Sequence, residues 1–216
     1  MRLHFGSPPQ DGDFQPELDG WTKLREPDPI LLQIIAAPVA VLNVAILIPA
    51  WGWLASVLAP PDQLPSRAAS GEAWIIDGSL LSLIGVLAGI PLLIAVHELL
   101  HAVCYPGGLR TNQTTVGVWP ARLVFYATYL GPMSRNRYLW VYACPFVVLT
   151  LVPLIAAAVL RAAPVALAAV SILNGFFACG DQTCMAMLAW QIPSIAIVRN
   201  RGWETWWKLP PSTSSD

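Results

Sequence analysis

The chain has 216 residues, 56% of them hydrophobic and only 12% charged, with a formal net charge of −1 and ten Trp. A soluble domain carries about twice that share of charge, so the composition excludes an ordinary soluble enzyme and indicates an integral membrane protein. Near-neutral charge, with no basic cluster interleaved with aromatics, also argues against nucleic-acid binding and leaves lipid and membrane chains as the expected partners.

Residues 1–29 set Asp11, Asp13, Glu17, Asp19, Glu26 and Asp28 against Arg2, Lys23 and Arg25, with little apolar content, which predicts a flexible segment. The first apolar run begins only after it and is too long for the core of a cleavable signal, so that run is expected to stay in place. Four runs are long enough to cross a bilayer core of about 30 Å, which takes roughly 20 residues as helix: 30–58, 79–104, 138–160 and 164–190. The last two form a hairpin. Between the second and third, Thr114–Trp119 and 123–129 are rich in Val, Thr and aromatics about a Pro120-Ala121-Arg122 turn. The expected fold is therefore all-α and integral to the membrane: four transmembrane helices with a short β-hairpin-like cytoplasmic loop between the second and third. It divides into the flexible segment 1–29, a membrane domain 30–192 and a Trp-rich interfacial tail 193–216.

Lys and Arg set the orientation. With an even number of spans, residues 1–29, the loop 105–137 and the tail share one side and hold ten of the twelve basic residues, against Arg67 and Arg161 opposite. That bias places both termini and the loop in the cytoplasm, and the chain in the cell (inner) membrane. Trp51, Trp53 and Trp74 near one boundary, and Trp140, Trp190, Trp203, Trp206 and Trp207 near the other, suit two interfacial belts. Cys104, Cys144, Cys179 and Cys184 fall in or beside spans, which suits buried packing rather than a disulfide framework.

The second run ends in His97-Glu98-Leu99-Leu100-His101. On a helix, residues i and i+4 share a face, so both imidazoles reach one ion while Glu98, one step round, reaches a water bound to it. With three His and five Glu in the chain, random placement gives this pattern about once in a thousand such chains. The plain alternative is a hydrogen-bonded histidine pair inside a bundle. A carboxylate at the centre of a span costs about 2.5 to 3.5 kcal/mol, and ionisable groups there are functional by default.

A hydrolytic zinc site takes three protein ligands and keeps one position for water. His4, the remaining histidine, lies in the flexible segment. Asp181 is the one acidic residue besides Glu98 deep in a span, and counted from the outer span ends both His97 and Asp181 lie about 26 Å deep. The ligand set is then His97, His101 and Asp181, with Cys184, three residues on along the same face, in reserve. Asn174, two turns before Asp181, is placed to orient substrate or a ligand, or else to bond a neighbouring helix. Asp77-Gly78 reads as an N-cap on the wrong side, and Asp19-Gly20 lies in the N-terminal segment. Gly85 and Gly89 permit close helix approach, Pro91 should kink the second span, and Pro106-Gly107-Gly108 ends it near the cytoplasmic mouth.

HELLHA at 97–102, YATYLGPMSRNR at 126–137 followed by an apolar span with Pro145, Cys179-Gly180-Asp181, and RNRGWETWWK at 199–208 together resemble a known family over about 80–208. This is the putative zincin peptidase family of bacterial membranes, a domain of formally unknown function similar to the site-2 intramembrane metalloproteases. The resemblance implies zinc held by His97, His101 and Asp181, with Glu98 as general base. Site-2 proteases carry an Asn-Pro motif ending in Asp-Gly; here Asn174 precedes Gly175, and Asp181 lies between Gly180 and Gln182. The expected function is zinc-dependent hydrolysis of a peptide bond of a membrane protein or peptide, with the hairpin loop pairing an unwound substrate strand. The alternatives are a structural or regulatory metal site without catalysis and, on fewer polar residues, a metal transporter.

Overall fold

The structure, a computed structural model, describes residues 1–58 and 80–211. Arg67, Trp74, Asp77, Gly78 and Ser79 lie outside the described residues. Among the described residues, three helices are long and apolar enough to cross a membrane: α1 (Pro29–Leu58), the Leu87–Cys104 part of α2 (Leu80–Cys104), and the run Arg135–Leu160. The last comprises α3 (Arg135–Phe146), a π-turn segment Val147–Leu151 and α4 (Val152–Leu160). A fourth span is available if α5 (Val165–Phe177) and α6 (Cys179–Gln191), which meet at a 47° bend, count as one. The composition-derived ends of the first, second and fourth runs thus fall within a residue or two of the helices, and Pro91 lies within an α2 that is helical throughout.

The all-α expectation holds only in part, because two small sheets accompany the helices. In the first, β3 (Thr114–Trp119) and β4 (Val124–Tyr129) form the expected hairpin about Pro120–Arg122. Leu123 closes the turn in the left-handed region at φ 53°. The N-terminal strand β1 (Arg2–Phe5) adds to β3 in parallel, in place of the flexible segment expected there. In the second sheet the order is β2 (Thr22–Lys23), β7 (Glu204–Lys208), β6 (Ile197–Arg201), β5 (Met133–Ser134).

The chain divides into two compact units. One holds Met1–Ala37, Glu98–Pro145 and Gly180–Asp216, and contains both sheets. Its core packs Leu24, Tyr105, Tyr129, Met133, Tyr138, Val141, Leu188, Ile192 and Val198. Acidic residues of the N-terminal segment pair with the β6–β7 hairpin: Asp11 with Arg199 at 2.6 Å, Glu17 with Arg201 at 3.3 Å. Lys23 pairs with Glu204 in the opposite sense. The tail residues Trp203, Trp206 and Trp207 therefore belong to a folded hairpin.

The other unit holds Pro38–His97 and Phe146–Cys179. Trp51, Leu54, Ala157 and Ala168 form its core. Trp51 is 1% exposed and donates its indole N–H to Ser171 Oγ at 3.0 Å, which overturns its expected place in an interfacial belt. Trp53, two residues on, points outward at 67% exposure. Gly175 lies so close to Leu47 that any Cβ there would collide with it. Asn43 Nδ2 donates to the Gly175 carbonyl at 2.7 Å.

Candidate metal centre

α2 inverts the soluble pattern: its inward stripe Leu93, His97, His101, with Glu98 and Ala102 beside it, is buried, whereas Leu87, Leu92 and Val103 are exposed. Four-residue spacing stacks the two imidazoles on one face.

His101 has a carboxylate partner and a carbonyl partner. Its Nε2 lies 3.2 Å from Asp181 Oδ2, and its Nδ1 lies 2.8 Å from the Val141 carbonyl oxygen. A carbonyl only accepts, so Nδ1 carries a proton and donates it, leaving Nε2 as the atom offered to a ligand. Asp181 sits in the first turn of α6, where backbone N–H groups and the helix dipole favour a negative charge. The break at Ala178 creates that first turn within a continuous apolar run.

His97 is set by a longer relay. Its Nδ1 is 2.8 Å from Asn174 Oδ1; Asn174 Nδ2 donates to Thr150 Oγ1 at 2.9 Å; Thr150 Oγ1 donates to the Ser171 carbonyl at 3.3 Å. The Ser171 carbonyl fixes the direction of every bond. Because it accepts, Thr150 must give its proton there and receive from the Asn174 amide, which turns Oδ1 toward His97 and makes His97 Nδ1 the donor. Asn174, Thr150 and Ser171 are all fully buried.

One ligand atom from each of His97, His101 and Asp181 lies within 4.8 Å of the others. Tetrahedral zinc with bonds of about 2.0 Å needs its ligand atoms about 3.3 Å apart, so small side-chain movements would close this group on an ion. Two imidazole nitrogens and a carboxylate oxygen, each imidazole held from behind, fit a zinc-type site with a position left for water. Glu98, 8% exposed, is the residue next to His97 on α2.

The sequence of residues 90–197, 108 of 216, matches the profile of the putative zincin peptidase family. The chain belongs to that family. No curated protein and no solved structure matches it.

Other candidates fall elsewhere. His4 lies on β1 with its Nδ1 2.8 Å from the Tyr126 hydroxyl, and Cys184 is not among the grouped ligands. All four cysteines are free thiols. Thr150 and Val141, which stand behind the two imidazoles, carry no motif that marks them in the sequence. The signal for Thr150 was a hydroxyl in an otherwise apolar run; for Val141 it was Pro145 four residues later.

Proposed function

We propose that this zincin-family protein is a zinc-dependent peptidase that hydrolyses a peptide bond of a membrane protein or peptide in or near the bilayer of the cell membrane, with both termini cytoplasmic. The observation that carries this reading is the grouping of His97 and His101, which share a buried stripe of an apolar helix with Glu98 beside them, with Asp181 of α6. Zinc, when bound, supplies a coordinated water of pKa lowered towards about 7 and polarises the scissile carbonyl. His97, His101 and Asp181 hold the ion. Glu98 takes the proton from the attacking water and passes it to the leaving amine. Asn174 keeps the His97 ring oriented.

A helical substrate must be unwound before its backbone can be attacked. β4 is the outer strand of the order β1-β3-β4 and offers a backbone edge for an extended substrate.

Glu98→Gln tests the reading. The variant should keep the zinc content of purified wild-type protein and lose cleavage of membrane-protein substrates. Cleavage retained at the wild-type rate would remove Glu98 as the base, and a wild-type protein that takes up no zinc would end the peptidase reading.

A further inference from the structure

The third apolar run is helical but irregular in its middle. Pro145 lies within α3, and a π-turn segment comes directly after it at Val147–Leu151. Proline has no N–H, so the carbonyl four residues before it loses the donor an α-helix would supply, and the proline ring pushes that carbonyl off the helix axis. Four residues before Pro145 is Val141, the residue whose carbonyl oxygen lies 2.8 Å from His101 Nδ1. Thr150, which directs Asn174 toward His97, lies inside the π-turn. Nine residues separate Val141 from Thr150, two and a half turns of a regular α-helix, which would set them on opposite sides. A π-turn takes in one extra residue and rotates the next stretch of helix by about 100°.

We infer that this break is the device that orients both candidate zinc ligands: Pro145 frees the Val141 carbonyl for His101, the π-turn presents Thr150 to Asn174 and so to His97, and both rings are held with Nδ1 protonated and Nε2 offered to the ion. Pro145 and Thr150 are then positioning residues. The zinc role of the rings rests on the peptidase reading, whereas the hydrogen bonds do not.

The test uses full-length protein in detergent micelles, first without metal. In ring-15N-histidine, 13C-carbonyl-valine protein, a scalar coupling across the hydrogen bond from His101 Nδ1–H to the Val141 carbonyl is expected. Pro145→Ala restores an N–H to residue 145 and should weaken or abolish that coupling; Pro145→Gly, which also restores it, serves as the second variant. With Co2+ as the probe, Pro145→Ala and Thr150→Val should each bind the ion about 10- to 100-fold more weakly and shift its visible d–d bands, while Thr150→Ser should rescue both. Absence of the coupling in wild type, or its persistence undiminished in both Pro145 variants, overturns the inference. So does unchanged Co2+ affinity in Pro145→Ala and Thr150→Val. A wild-type protein that shows the coupling but binds neither Co2+ nor Zn2+ overturns the zinc reading and leaves the assignment of the hydrogen bond standing.

Discussion

Asn174 Oδ1 lies 2.8 Å from His97 Nδ1, and both side chains are buried. An unmade bond of this kind costs about 1 to 3 kcal/mol, enough to hold the pair in one geometry.

Replacing Asn174 should therefore act on the metal before it acts on the fold. Asn174→Leu removes the acceptor behind His97 and is expected to weaken zinc binding about 10- to 100-fold. Asn174→Asp keeps an acceptor facing His97 and should retain tighter binding than the Leu variant. Competition with a chromophoric chelator reads both. Equal affinity in wild type and Asn174→Leu would mean that the ring needs no support from this side.

Asp181 and Cys184 lie one turn apart on α6, and the structure distinguishes them: Asp181 faces His101 Nε2 at 3.2 Å and is one of the three grouped ligands. Asp181→Ala should lose zinc by a larger factor than any change behind the imidazoles, and Cys184→Ala should leave zinc content at the wild-type level. Metal analysis of the purified variants decides it. Undiminished zinc in Asp181→Ala would reject the assignment.

How much of the fold and the site was legible depended on whether a feature is local in sequence. The span ends, the hairpin about Pro120–Arg122, and the shared face of His97 and His101 follow from hydropathy, turn chemistry and helix period within a few residues. The burial of Trp51 does not, because α1 is apolar on every side and carries no stripe from which its rotational phase could be read. The partner of the N-terminal segment was hidden for a different reason. Arg2 pairs with Thr115 and Lys23 with Trp206, and strand propensity says nothing about which distant strand will accept a given edge. The acidic character of that segment and the Arg199 and Arg201 of the tail were visible as composition, but only the fold makes them partners. The π-turn was invisible, since Val, Leu and Thr fill it as they would fill a regular helix.

Gly175 is a packing requirement. A Cβ at this position would meet Leu47, itself 4% exposed and without room to withdraw. Gly175→Ala should destabilise by about 1 to 3 kcal/mol. Leu47→Ala opens the space, so the same glycine substitution should cost less in that background. Unfolding of the four members of the cycle in mixed micelles measures the coupling, and strictly additive losses would show that the two residues do not meet.

Glu26 ties the segment preceding α1 to β7 and should make that tie sensitive to pH. Its carboxylate accepts from the Thr205 backbone N–H at 2.5 Å and from the Thr205 hydroxyl at 3.1 Å. Burial nevertheless dominates and raises its pKa from 4.5 to about 7. The folded protein thus holds this proton more tightly than the unfolded chain. The stabilisation it contributes is complete below pH 4.5, declines as the pH rises, and is lost as the pH passes through about 7. Glu26→Gln mimics the protonated form and keeps an acceptor for the Thr205 N–H, so protection of the β7 amides should fall with pH in wild type and stay level in the variant. Amide hydrogen exchange of Glu204–Lys208 at pH 5, 6 and 7, corrected for intrinsic exchange, makes the comparison. A parallel decline in both proteins would assign the pH dependence to another group.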